Sequence, residues 1–131
     1  RVVGVELIED AVIAARRNAE LSGRANVTFL AGDMKVALTS DGIVDATGSL
    51  VAGKPDLIVV DPPRDGMHPD VVRGIIGLMP VRLVYVSCNP STLARDTALL
   101  TAGGYRMTRA VPVDMFPQTA HVEVVAAFER V

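Results

Sequence analysis

Val81-Arg82-Leu83-Val84-Tyr85-Val86-Ser87-Cys88-Asn89-Pro90 is the stretch whose reading decides the fold. An apolar, β-branched run ends abruptly in a polar turn. The run reads as a buried parallel strand. Asn89-Pro90 stops it, because proline cannot donate to a ladder and biases the residue before it away from helix. Cys88, the chain's single cysteine, then falls at the carboxyl end of a central strand. Open α/β sheets collect their ligands at that edge. The alternative is that Cys88 is a small buried hydrophobe, the common fate of a lone free thiol.

Outward from this strand, helices and strands alternate. Upstream, Pro69 suits a helix start. Val71, Val72, Ile75, Ile76 and Met79 give a helical stripe, which Pro80 ends. Before it, Pro55 to Asp61 reads as a strand with a continuous apolar Leu57-Ile58-Val59-Val60, followed by the rigid turn Pro62-Pro63-Arg64-Asp65-Gly66. Further back, Val2 to Glu6 and Val27 to Ala31 read as strands, Ile8 to Ser22 as a helix, and Met34 to Leu38 as a short helix. Residues 40–55 carry five Asp and Gly positions and no sustained period, so they read as a loop. Downstream, Asn89 or Ser91 can cap a helix through Leu93, Thr97 and Leu100, which Gly103-Gly104 stops. Tyr105 to Val113 and Val122 to Arg130 follow with no helix between them and should pair antiparallel. The pattern predicts an α/β fold, a largely parallel sheet closed by an antiparallel strand pair.

The chain has 131 residues, half of them apolar, and a formal net charge of −2. That describes one partly polar globular domain over residues 1–131. No apolar run reaches membrane-spanning length. One cysteine offers no disulfide framework, which points to a reducing, cytoplasmic setting. With two histidines beside it, no metal site is expected. The near-neutral charge argues against an autonomous nucleic-acid binder.

Four candidate constellations fall at strand ends. Glu6 could accept hydrogen bonds from a ribose diol, or be a solvated strand-end acid. Asp33, after Gly32, could meet an exocyclic amino group, or cap a helix. Asp61 and Arg64 flank the double proline, where a surface ion pair is the plainer alternative. Cys88 could act as a nucleophile if its thiolate is favoured, and a helix starting just beyond Pro90 would help. Taken with Cys88 in the fourth constellation, Glu123, at the start of the last strand, could serve as a base, or merely charge a sheet edge.

Taken together, Val3-Gly4-Val5-Glu6, Asn18-Ala19, Gly32-Asp33, Asp61-Pro62-Pro63-Arg64, Ser87-Cys88-Asn89-Pro90 and Phe116-Pro117-Gln118-Thr119-Ala120-His121-Val122-Glu123 occur in this order and spacing. This set resembles the carboxyl-terminal catalytic domain of the RNA uracil-C5 methyltransferases, which act on tRNA and 23S rRNA with S-adenosylmethionine. The match runs over nearly the whole chain. It implies a Rossmann-like methyltransferase fold and an RNA partner. It also implies roles. Glu6, Asp33 and Asp61 would contact the cofactor at its ribose, adenine and methionine end. Asp61, Arg64 and Asn89 would face the substrate. Cys88 would add to C6 of uracil, and Glu123 would remove the C5 proton.

The chain also departs from the family pattern. The Gly-rich cofactor loop that follows the family's first strand is absent, as are an RNA-binding β-barrel and iron–sulfur cysteines. The reading is therefore of a partial catalytic domain, truncated at its N-terminus and inert by itself. In the family's sheet the absent strand lies between Val2–Glu6 and Leu57–Asp61. Those two strands are expected to pair directly, or the chain to self-associate through the exposed edges. A rival reading is an amino-group methyltransferase using the Asp-Pro-Pro turn, but Arg64 stands where such enzymes carry an aromatic residue.

Overall fold

The computed structural model describes all of Arg1–Val131. It divides into two compact units, Arg1–Lys54 and Pro55–Val131.

In the first unit, β1 (Val2–Glu6) leads through α1 (Glu9–Leu21) to β2 (Val27–Ala31), which pairs parallel with β1 from Val2–Val27 to Glu6–Ala31. α1 packs on this pair through Val12, 1% exposed, and the Arg16 guanidinium donates to the Phe29 carbonyl at 2.7 Å. Gly4 pairs across from Phe29, and a Cβ there would lie 2.7 Å from the ring. The bare glycine lets the aromatic side chain lie flat across the strand. A single-turn helix, α2 (Met34–Ala37), follows.

Residues 40–55 are not the loop expected. β3 (Leu38–Thr39), β4 (Gly42–Val44) and β5 (Leu50–Ala52) form an antiparallel meander. Ser40-Asp41 make a tight hairpin. Asp45 closes the second turn by accepting from the amides of Thr47 at 2.8 Å and Ser49 at 3.0 Å. The Thr47 hydroxyl, donating to the same oxygen at 2.6 Å, and then these amides lower the Asp45 pKa from its ordinary value. The strands are two or three residues long, too short to show a period, and their turn residues hid them.

In the second unit, β6 (Leu57–Val60), β7 (Arg82–Ser87), β9 (Glu123–Arg130) and β8 (Tyr105–Val113) form a four-stranded sheet in the order β6-β7-β9-β8. β6 and β7 are parallel, with α3 (Pro69–Leu78) as their crossover. β9 runs antiparallel to both β7 and β8. α4 (Pro90–Ala102) connects β7 to β8. As expected, Pro69 occupies the first turn of α3; α4 begins at Pro90 itself, which sits in its first turn. The core holds Leu83, Ile75, Leu100 and Ala126, all 0% exposed, with Phe128 and Tyr105 at 1%. The α3 stripe turns slightly from the expected one. Leu78 is buried, whereas Met79 takes a left-handed conformation at the helix end and is 48% exposed.

The expectations on pairing and burial need two corrections. β7 is buried on one face only: Leu83, Tyr85 and Ser87 are buried, while Val84 and Val86 are half-buried. On β6, Leu57 and Val59 are 51% and 61% exposed. α4 lies on the Tyr85 face and α3 beside α4, so within this unit both helices serve the same face. Nor do β1 and β6 pair directly. Each has one sheet neighbour, the strand reached through its own helical crossover. Those local β–α–β connections determine the pairing. No helix is long and apolar enough to cross a membrane.

Candidate active site

The end of β7 shows how the sequence places Cys88. The Ser87 hydroxyl, on a residue only 3% exposed, donates to the Asn89 carbonyl at 2.9 Å and accepts from the Asn89 amide at 3.1 Å. Cys88 is the residue enclosed by this tight turn, and it is half-buried. Asn89 then caps α4, its side-chain oxygen accepting from the Ser91 amide at 3.1 Å. Its amide nitrogen donates to the Arg64 carbonyl at 3.1 Å. The side chain expected to face substrate is thus engaged in joining two loops.

The sheet register supplies the rest of the site. Tyr85 pairs with Val60, so Asp61 follows at the carboxyl end of β6 beside the end of β7. Ser87 pairs with Val124, so Cys88 and Glu123 occupy the next register position on neighbouring antiparallel strands. Asp61, Cys88 and Glu123 therefore come to one end of three adjacent strands. Neither carboxylate has a hydrogen-bond or ion-pair partner within the chain; Asp61 is exposed and Glu123 half-buried. The guanidinium of Arg64 is exposed and free as well, its loop being held through the backbone.

The first unit carries the other two candidates. One Glu6 oxygen accepts from the Ile8 amide at 2.9 Å, which fixes the turn into α1. Asp33 caps α2 through the Lys35 amide at 2.8 Å and pairs with the Lys35 ammonium at 3.1 Å. The capping alternative is thus realised. Beside it, Gly32 and Asp33 border a hollow of about 230 Å³ whose walls include Val5, Leu30, Val36 and Val44. The Glu6 carbonyl accepts from the Gly32 amide at 2.9 Å, so the Glu6 end of β1 and the Gly32 turn are neighbours. No group of three or more His, Cys, Asp or Glu side chains gathers in a way that could hold a metal.

Sequence reasoning passed over Asp96. It lies on the buried stripe of α4 between Leu93 and Leu100 and is 0% exposed. Its carboxylate accepts from the Met67 amide at 2.8 Å, the Tyr85 hydroxyl at 2.7 Å and Arg95 Nε at 2.8 Å. An acid three residues after one stripe leucine and four before the next was the available signal.

An α/β unit with an antiparallel closing pair and acids at its strand ends is the Rossmann-like fold of S-adenosylmethionine-dependent methyltransferases. Solved structures share the fold. Precorrin-6y C5,15-methyltransferase from Geobacter metallireducens matches with a TM-score of 0.70, over all of this chain and 67% of its own, at 13% identity, a likeness of fold alone. A profile described as tRNA (Uracil-5-)-methyltransferase matches residues 1–131, and the chain belongs to that family. An uncharacterized RNA methyltransferase of Chlorobaculum tepidum is 48% identical over 99% of this chain and 26% of its own length. One from Porphyromonas gingivalis is 50% identical over 99% of this chain and 27% of its own. The tRNA (uracil-54, C5)-methyltransferase of Pyrococcus abyssi, solved in complex with S-adenosyl-L-homocysteine, is 37% identical with a TM-score of 0.79, over 98% of this chain and 28% of that one. The chain thus spans about a quarter of the length of these relatives.

Proposed function

We propose that the protein to which residues 1–131 contribute a partial catalytic domain methylates C5 of a uridine in RNA. The observation that carries this reading is the convergence of Asp61, Cys88 and Glu123 at one end of β6, β7 and β9. C5 of uracil is too weak a nucleophile to take a methyl group unaided. The Cys88 sulfur, as thiolate, forms a bond to C6, and the C5–C6 electron pair moves toward C5 and O4. S-adenosylmethionine supplies the methyl group that C5 then gains. Glu123 takes the C5 proton, the C6–S bond breaks, and the thiolate is regenerated. A half-buried carboxylate without an internal partner has its lone pairs available for that proton.

The donor set fits the cofactor's nucleoside end. The apolar hollow beside Gly32-Asp33 suits a flat ring, with Asp33 at its border. The second oxygen of Glu6 is available to a ribose diol. Asp61 would serve the methionine end and the uracil edge, and the free guanidinium of Arg64 would meet the RNA. Asn89 would act chiefly by holding the Arg64 loop. The target base must be unstacked, since C5 and C6 are approached from the ring face.

The test uses the full-length protein and RNA containing 5-fluorouracil, whose C5 fluorine cannot leave as a proton does. Wild type should form a complex stable on a denaturing gel. Cys88→Ala should form none and transfer no methyl group while staying folded. An equal adduct with the alanine variant overturns the reading.

A further inference from the structure

We propose that Arg95 and Asp96 are positioning residues that lock the loop between Asp61 and Met67 against α4, so that Asp61 and Arg64 are held in register with Cys88. The proposal rests on the reading of Cys88 as the nucleophile given above. Its basis is a set of contacts that the reaction scheme leaves unexplained. Four side chains from the start of α4 hydrogen-bond the backbone of three loop residues, Arg64, Asp65 and Met67. The Arg64 carbonyl accepts from Asn89 Nδ2 at 3.1 Å and from Thr92 Oγ1 at 3.2 Å. Arg95 Nη2 donates to the carbonyls of Asp65 at 3.0 Å and Met67 at 3.1 Å. Asp96 takes the Met67 amide at 2.8 Å. Asn89, Thr92, Arg95 and Asp96 recur at intervals of three and four, on one side of the helix.

Gly66 shows how tight the grip is. Its φ is +78°, and a Cβ would lie 2.6 Å from Arg95 Nη2, 2.7 Å from Asp96 Oδ2 and 3.0 Å from Thr92 Cβ. The loop backbone presses directly on the polar side chains. Asp96 also takes the Tyr85 hydroxyl, and Tyr85 lies three residues before Cys88 on β7. One carboxylate therefore ties together the loop after β6, the strand that delivers the cysteine, and the helix that follows it.

Stability alone does not account for this choice. A carboxylate buried at a helix position often contributes less, even when paired, than a well-packed apolar residue of the same volume. The position lies on an apolar stripe where leucine would pack. What a carboxylate and a guanidinium add is direction: they fix individual N–H and C=O groups of the loop, which a leucine cannot. Small displacements of reacting groups cost rate steeply, so such a lock has a clear use beside a nucleophile.

The experiment is done on the full-length protein with Arg95→Ala, chosen because the Arg95 side chain is 51% exposed whereas that of Asp96 is 0%. Three quantities are measured: amide exchange at Gly66 and Met67, kcat and KM for RNA and cofactor, and rescue by ethylguanidinium. Exchange at Gly66 and Met67 should quicken while β7 amides keep their protection. The kcat should fall about 30-fold with the cofactor KM within about threefold, and ethylguanidinium should restore part of it. Arg95→Lys should behave like the alanine variant, because one ammonium cannot make both the Nε and the Nη2 contacts. Should Arg95→Ala not fold, Arg95→Lys and Thr92→Val carry the same measurements. Unchanged loop exchange, a kcat within twofold of wild type, or a loss confined to cofactor KM overturns the proposal. Adduct formation by the wild-type protein reports separately on the Cys88 reading, so failure of one is distinguished from failure of the other.

Discussion

Tyr85→Phe removes one oxygen from a side chain that is 0% exposed. The lost hydroxyl donates to Asp96 Oδ2 at 2.7 Å. A hydrogen bond to a charged group contributes about 1.5–3 kcal/mol net. Asp96 keeps the Met67 amide and Arg95 Nε, so its carboxylate is not orphaned, and the cost at pH 8 should be about 2 kcal/mol. That cost should depend on pH in a defined direction. Burial first, and the Asp96 bond second, raise the Tyr85 pKa above its usual 10.0. A raised folded-state value means the unfolded chain ionises first. The stability Tyr85 contributes is complete below pH 10 and is lost as pH rises toward its folded-state pKa. Each pH unit in that window removes about 1.4 kcal/mol from wild type and nothing from the variant. The difference between the two should therefore shrink from about 2 kcal/mol at pH 8 to near zero about one and a half units above pH 10. Tyr105, whose pKa burial also raises, contributes equally to both proteins and cancels. Urea denaturation of the two proteins at pH 8, 10 and 11 measures this. A penalty under about 0.5 kcal/mol at pH 8, or one that stays constant to pH 11, refutes the reasoning.

Glu123→Gln in the full-length protein should permit addition and methylation but retain the C5 proton, leaving methylated RNA attached on a denaturing gel; normal turnover would remove Glu123 as the base. Gly66→Ala forces a side chain into a left-handed residue pressed against Arg95 and Asp96. It should cost at least about 2 kcal/mol in chemical denaturation, and a neutral result would mean the loop is not gripped as described. Asp45→Asn should speed amide exchange at Thr47 and Ser49. Because the Asp45 pKa is lowered, the wild-type turn should loosen in the same way as pH falls through that folded-state value; pH-independent protection of those amides would contradict it.

The long elements were legible because their apolar spacing repeats often enough to be seen. α1, α3, α4 and the strands from β6 onward lie within a few residues of where the pattern puts them. Cys88 and Glu123 were legible as strand-end residues, but the register that places them at one position depends on β9 inserting beside β7, and no local pattern encodes which strand lies next to which. β3 to β5 were hidden for a different reason. Their period-2 signal covers too few residues, and Asp41, Asp45 and Gly48 read as punctuation when they are in fact in the hairpin turns. Asp96 was missed because a charged residue inside an apolar stripe reads as solvent-facing until its donors are seen, and those come from residues 11 and 29 positions away.

The strand order β6-β7-β9-β8 has a consequence for how such a protein is born. β8 precedes β9 in the chain, yet its sole sheet neighbour is β9. As the chain emerges from the ribosome, β8 has nothing to pair with until the later strand has slotted in beside β7. Until that moment the thiol of Cys88 has no Glu123 beside it. A nascent or prematurely terminated polypeptide would carry Cys88 without the neighbouring carboxylate, and β8 would remain an unpaired ribbon. Translation through β9 is thus the step that brings the two side chains to one strand end, and quality control that recognises loose strands would find the chain that lacks it.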